Sequence, residues 1–323
     1  MEFTTLGRTG FRVSVVGMGC GGASRLGQTY GNSEEQSVAV VRRAMELGIN
    51  YIDTAEAYKT EEIVGKAIAG VPRDQIFLST KKNPYKDGVP VSADELIAGC
   101  EASLRRLGRE QVDLIQFHNK LGAVSNPGQD TWSVANLLEM VETFAILQQE
   151  GKVRFWGFNG LGEGAAIRAA IQTDTQYTMQ SCYNLLNPSA GRAMGDDFLY
   201  DNYSQAINEA EAHGVGVIAI RVLAGGALAG TLDRHPVAAA TPNPLGSAPD
   251  YASDVIHAQR FAFLVHEGYA ANLAEAAIRF VISKPAVSTA LVGISTAEQL
   301  EAAVVAAERG ALPAAVLERI AAI

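Results

Sequence analysis

Four side chains capable of proton chemistry fall at the ends of three successive short apolar runs. Asn50-Tyr51-Ile52 leads into Asp53, with Tyr58 five positions on. Ile76-Phe77-Leu78-Ser79-Thr80 leads into Lys81, and Val112-Asp113-Leu114-Ile115-Gln116-Phe117 leads into His118. A tyrosine hydroxyl ordinarily titrates at about 10, too high for a good acid at neutral pH. An adjacent ammonium stabilises the phenolate and lowers that value, and Lys81 can supply the charge. Asp53 can hold Lys81 charged and in place. His118 can hydrogen-bond a carbonyl oxygen and turn it toward Tyr58. Such a set protonates an oxygen while a hydride adds to the carbon. Taken singly, each residue has a plainer reading: Asp53 a cap, Tyr58 a half-buried aromatic, Lys81 beside Lys82 a solvated charge, His118 a satisfied rim histidine. The joint arrangement, four reactive types at neighbouring strand ends, favours chemistry.

The elements that position them alternate. Residues 3 to 14 predict a hairpin turning at Gly7-Arg8-Thr9-Gly10. Strands are then expected over 13–19, 50–55, 76–81, 112–118, 153–159, 177–183, 215–223 and 287–292, each followed by a helical pattern. They are short, apolar and rich in Val and Ile, as strands buried on both faces should be. Helix boundaries carry their own signals, such as the Ser33 cap and the Ser92/Glu95 capping box closed by Gly108. Residues 231–250 hold four prolines and read as a long loop. Eight strand–helix units predict an α/β chain closing as a (β/α)8 TIM barrel with an N-terminal hairpin, one domain over 1–323, with an open doubly wound sheet as the competing architecture. Parallel strand ends then all open on one face.

Gly17-Met18-Gly19-Cys20-Gly21-Gly22 matches GxGxxG, the dinucleotide fingerprint. That motif needs a helix to open at once, so that its N-terminus meets the pyrophosphate. Here 23–32 is a loop, and the helix begins only at Ser33. The Rossmann reading therefore fails. The glycines instead let a ligand approach the backbone at the first strand end, which makes Gly19, Cys20 and Gly21 contact candidates.

Composition narrows the class further. The chain has 323 residues, 48% hydrophobic and 19% charged, enough for a large core. A net charge of -9 with no basic run argues against nucleic acid or an anionic membrane as partner. No apolar run suits a signal peptide or a bilayer span. Three widely spaced cysteines, Cys20, Cys100 and Cys182, read as reduced thiols in a cytoplasmic protein. No cluster has metal-ligand spacing. His213, His235, His257 and His266 fall on helices or the long loop and read as structural or solvated.

Nearly the whole chain resembles the aldo-keto reductase superfamily. The matching segments are Phe3 to Gly10, Gly48 to Ala55 with Tyr58, Ser79-Thr80-Lys81, Val112 to His118, and Leu291 to Leu300. The resemblance implies a catalytic tetrad of Asp53, Tyr58, Lys81 and His118, all four present. It implies reduction of aldehydes and ketones with a nicotinamide cofactor, usually NADPH, extended across the barrel rim. It places Gln180 and Asn159 at the carboxamide and Ile220 where an aromatic usually stacks on the nicotinamide. Leu223 and Gly225 keep the pyrophosphate-loop pattern, Arg221 replaces a frequent Ser, and Gly293, Ser295 and Gln299 match the adenosine-phosphate region. No Lys or Arg lies in Gly293–Gln299 to clamp a 2′-phosphate, so NADH stands beside NADPH, and Arg234 or Arg260 is the candidate cation from outside. The substrate side is expected to use Tyr58, His118, Tyr85 and Trp132, with Trp156 and Tyr183 as further aromatics. The polar 121–131 loop favours a hydroxylated carbonyl compound such as a sugar. Two other readings are open: a cofactor-binding regulatory subunit with little turnover, and a Schiff-base lyase using Lys81.

Overall fold

The expected barrel forms; five of its strands are shorter than expected, while Val153–Gly160 and Val287–Gly293 each run one residue further. In the computed structural model the eight strands are β1 (Val16–Gly19), β2 (Tyr51–Asp53), β3 (Phe77–Lys82), β4 (Val112–Phe117), β5 (Val153–Gly160), β6 (Thr178–Cys182), β7 (Gly216–Ile220) and β8 (Val287–Gly293). Each pairs in parallel with its chain neighbours, and β8 closes on β1 through Ala290↔Val16 to Gly293↔Gly19. The structure describes all residues except 84, 87, 88 and 240; of Lys86 only the backbone is described. Residue 240 of the long loop thus lies outside the description.

Side chains alternate across each strand, and this sorts the barrel into layers. Tyr51, Phe77, Leu114, Ile218 and Leu291 fill the lower interior with Leu6 and Val13 of the N-terminal hairpin. That hairpin, Phe3–Thr5 against Arg12–Ser14, plugs the end opposite the site. Gly7 is required there. Its φ is +46, and a Cβ would lie 2.2 Å from the Gly216 nitrogen. Residues 13 and 14, expected in the first barrel strand, belong to this hairpin instead. Two positions further along β2, β3 and β4 the inward residue becomes polar: Tyr51 gives way to Asp53, Phe77 to Ser79 and Lys81, Leu114 to Gln116. The period of two therefore builds an apolar floor and a polar ceiling from the same strands.

The helices start where their caps dictate. Ser33 and Ser92 each accept from the N3 backbone of the following helix, and Gln36 and Glu95 return the bond. Each such cap is worth about 1 kcal/mol. Two expected long helices are broken. The first divides into Val134–Glu139 and Val141–Gln149, and the second into Tyr251–Ala258, a 3-10 turn and Phe263–His266. A 3-10 segment, Ala224–Ala229, follows β7 where a loop was expected. Among the described residues, no helix is long and apolar enough to cross a membrane.

Candidate active site

The polar ceiling is one connected network. Lys81 Nζ donates to Asp53 Oδ2 and, at 3.0 Å, to the Thr54 carbonyl. Asp53 Oδ1 accepts from Ser79 Oγ at 3.0 Å, Gln180 Nε2 at 3.0 Å and Gln116 Nε2 at 3.4 Å. Lys81 and Asp53 are 1% and 2% exposed, so neither charge is solvated. Above them the Lys81 ammonium sits 4.8 Å from the centre of the Tyr58 ring. The Tyr58 hydroxyl lies 3.3 Å from His118 Nε2, with the two rings edge to face. Strand register brings this about: Lys81 pairs with Gln116, and the His118 amide donates to the Lys82 carbonyl at 2.9 Å.

Burial is the largest single influence on each member, and it sets the net direction for Asp53, Tyr58 and His118. It works first against the charge on Lys81, but Asp53 and Tyr58 outweigh it and hold the ammonium above its ordinary pKa. It raises the Asp53 carboxyl, offset in part by Lys81, Ser79 and Gln180. One ammonium and three neutral donors on two oxygens make this an ion pair. His118 is pushed down to about 3, by burial and then by the Lys81 charge, and is neutral at ordinary pH. The expected lowering of Tyr58 is only half met. Lys81 does pull its pKa down, but burial pushes harder, and the net direction is up. A buried hydroxyl beside a neutral imidazole can hydrogen-bond, together with it, to a single oxygen placed between them.

The glycine run has a steric purpose. A Cβ on Gly21 would lie 2.3 Å from Tyr58 Cε2 and 2.5 Å from Cδ2 and Cζ. Gly21 therefore clears space for the tyrosine ring. Cys20 is fully buried, and its amide donates to the Asp53 carbonyl at 2.9 Å. Gly19 is the last residue of β1.

The residues expected at a nicotinamide cofactor lie at the ends of β5 to β8 and in the loops that follow. Asn159 Oδ1 is buried and has no hydrogen-bond partner among the described residues, beside Gln180 in the β5–β6 register. An orphaned acceptor of this kind suits an amide N–H. Gln180 has its own amide nitrogen committed to Asp53. Ile220 ends β7, half-buried. The backbone then turns left-handed at Arg221 (φ +57), Ala224 (+47), Gly225 (+68) and Gly226 (+103). For Arg and Ala that costs roughly 1–2 kcal/mol each. The Arg221 carbonyl is pinned by Asn184 Nδ2 and the Ala224 amide, and Leu223 accepts from the Gly226 amide. Arg234 Nη1 crowds the open face of Gly226, and its Nε is buried without a partner among the described residues. At the final loop, Gln299 Oε1 accepts from the Ser295 amide and Asn32 Nδ2 donates to the Ser295 carbonyl at 2.8 Å, while Gly293 faces open space.

Two expected substrate residues are wall residues instead. Trp132 is 1% exposed, packed 4.8 Å from the Phe117 ring on the outer side of β4. Tyr85 lies edge-on to it and donates to the Thr131 carbonyl. The strand pair Lys120–Leu121 with Thr131–Trp132 folds the indole back over the barrel wall, which a polar loop does not predict. Trp156 stacks on Phe144 and Tyr183 on Phe280, both in the outer layer. Ser79 and Gln116 escaped the sequence reading. Counting back two positions from Lys81 and His118 would have found them.

Barrels of this kind gather their working groups at the C-terminal ends of the strands, and Asp53, Lys81 and His118 stand at such ends here. The chain belongs to the aldo/keto reductase family, whose sequence model matches residues 18–323. L-galactose dehydrogenase of Arabidopsis thaliana is 28% identical over 313 residues, covering 93% of this chain and 86% of that one. A putative voltage-gated potassium channel subunit beta of Schizosaccharomyces pombe is 27% identical over 323 residues, at 93% and 86% coverage. The holo form of an aldo-keto reductase from Bacillus halodurans superposes with a TM-score of 0.72 at 25% identity, covering 100% of this chain and 96% of that one.

Proposed function

We propose that this chain is a nicotinamide-dependent oxidoreductase interconverting a small carbonyl compound and its alcohol, with Tyr58 as the proton donor and acceptor. The observation that carries the reading is the Tyr58 hydroxyl 3.3 Å from a neutral His118, over a buried Lys81–Asp53 pair. The bound nicotinamide supplies the hydride in reduction and takes it in oxidation. The rest falls to the protein. His118 holds the carbonyl oxygen by a hydrogen bond from its imidazole N–H. Tyr58 passes its proton to that oxygen, and the phenolate left behind is stabilised by Lys81. Asp53, fixed by Ser79, Gln180 and Gln116, keeps Lys81 charged and aimed. Burial makes the free Tyr58 a weak acid, so the proton moves only as negative charge develops on the oxygen beside it.

Asn159 suits the carboxamide, the left-handed turn at Arg221–Gly226 suits the diphosphate, and Arg234, which lies against that turn, stands with Arg260 as a candidate for a further phosphate. That arrangement supports NADPH. The final loop, which carries Glu298 and no cation, keeps NADH as the alternative. The polar 121–131 loop, with Asn126, Gln129 and Asp130, and the relative named for L-galactose both support a hydroxylated substrate of the sugar class. The channel-subunit relative supports the second reading, a cofactor-binding regulatory protein. A Schiff base at Lys81 is disfavoured, because its amine is an ion-paired ammonium rather than a free nucleophile.

One experiment separates these readings. The protein is titrated by fluorescence with NADPH and with NADH, and aldehyde reduction is followed for wild type and Tyr58→Phe. The expected outcome is saturable binding by both proteins and a loss of turnover of about 10²–10⁴-fold in the variant. An unchanged rate in Tyr58→Phe refutes the mechanism. Binding without turnover by the wild type favours the regulatory reading.

A further inference from the structure

Lys82 follows Lys81 in β3 and points the other way, out of the barrel. It is nevertheless 3% exposed. Its stem crosses Gly99 of the Ala93–Leu107 helix, where a Cβ would meet the Lys82 Nζ at 3.5 Å and Cε at 3.6 Å. Those are ordinary contact distances, so the lysine stem packs along this face of the helix. The ammonium emerges on Glu56 Oε2 at 2.9 Å, and Arg106 Nη2 reaches Glu56 Oε1 at 3.3 Å. Glu56 opens the 3-10 turn Glu56–Tyr58, which is closed by two short backbone bonds, Tyr58 amide to Ala55 carbonyl and Lys59 amide to the carbonyl of Glu56 itself. The carbonyl of the same Lys82 accepts the His118 amide. Tyr58 and His118, which come from separate strand ends, are thus both registered on one residue, His118 through its main chain and Tyr58 through its side chain.

We propose that the Lys82–Glu56 pair is a positioning device that sets the Tyr58–His118 separation. Neither residue touches the reacting atoms. This inference rests on the reading of Tyr58 and His118 given above. A solvated surface pair would contribute little. This one has its cation enclosed and its anion on the turn that carries the proposed acid. Releasing it lets the turn swing while the cofactor residues, on other strands, stay in place.

The test uses Lys82→Met, which keeps the stem, and Glu56→Gln, which keeps the shape. Each is assayed with NADPH and glyceraldehyde, and the crystal structure of Glu56→Gln is determined. The expected result is a fall in kcat of about tenfold or more, since misplacement on the order of 1 Å suffices for that. NADPH affinity should stay within about twofold, the isotope effect with deuterated cofactor should rise, and Lys82→Arg should recover part of the rate. Asp113→Asn is the comparison. It weakens the pair that buried Asp113 makes with a partly exposed Arg154 at the far end of the barrel, and should lower stability while leaving kcat unchanged. Should Lys82→Met not fold, Glu56→Gln carries the test, because its carboxylate side is half exposed. A kcat within about twofold of wild type in Glu56→Gln, or a crystal structure with Tyr58 still 3.3 Å from His118, overturns the proposal. Loss of turnover in Tyr58→Phe alongside a normal Glu56→Gln defeats this inference alone. An unaffected Tyr58→Phe defeats the reading beneath it.

Discussion

Replacing Gly21 by alanine should damage the reaction through a single methyl group. That carbon would arrive 2.3 Å from the Tyr58 ring. Carbon atoms in contact settle at about 3.5–4.0 Å, so the ring must withdraw by about 1.2 Å or more. Its hydroxyl starts 3.3 Å from His118 Nε2, and a ring shift of that size disturbs the contact in either direction, by crowding or by separation. A displacement on the order of 1 Å in a reacting group costs about 10²-fold, or about 2.7 kcal/mol in the barrier. The assay is the initial rate with saturating NADPH and glyceraldehyde, with circular dichroism to confirm folding. Gly22→Ala is the matched control: no atom lies within 4 Å of its Cβ, but its φ is +74. Gly22→Ala should lose about 1 kcal/mol of stability to backbone strain and keep its rate. A Gly21→Ala enzyme turning over within about twofold of wild type would refute the steric account, and with it the claim that Tyr58 needs this exact seat.

Two further outcomes concern the buried charges. Lys81→Met leaves the Asp53 carboxylate buried with neutral donors only, and should cost about 3–5 kcal/mol in urea denaturation; adding Asp53→Asn should recover part of that. His118 titrates near 6.5 when unfolded and at about 3 when folded. The unfolded chain therefore binds the extra proton between those values. The contribution is complete above pH 6.5 and is lost as pH falls toward 3, up to roughly 5 kcal/mol. His118→Asn should flatten the stability profile in that window, and a profile identical to wild type would contradict the depressed pKa.

The barrel was legible because its strands are buried on both faces and its helices carry conventional caps. Rim residues were legible for a related reason: Asp53, Lys81 and His118 are polar at the point where an apolar run stops. The layer beneath was not. Ser79 and Gln116 sit within runs that read as core, and nothing in the local pattern distinguishes a polar ceiling from an apolar one. Lys82 misled in the opposite direction, since adjacent lysines suggest solvent, whereas β3 turns one inward and buries the other against Gly99. Trp132 looked like a pocket aromatic because it follows a polar loop. A two-residue strand pairing, too short to leave a signature, returns it to the wall. The helix break at Met140 likewise has no glycine or proline to announce it.

The pairing of β8 with β1 governs how the molecule is made as well as how it works. Until residues 287–293 leave the ribosome, β1 and β7 present unpaired parallel edges. Such edges invite association with other chains, and closing a contact of such long sequence separation is slow. The network around Asp53 draws on strands from β2 to β6, so it can assemble early. The final loop, tied by Ser295 to Asn32, cannot. The Asp53 network thus needs no residue of the last strand, whereas closure of the ring does.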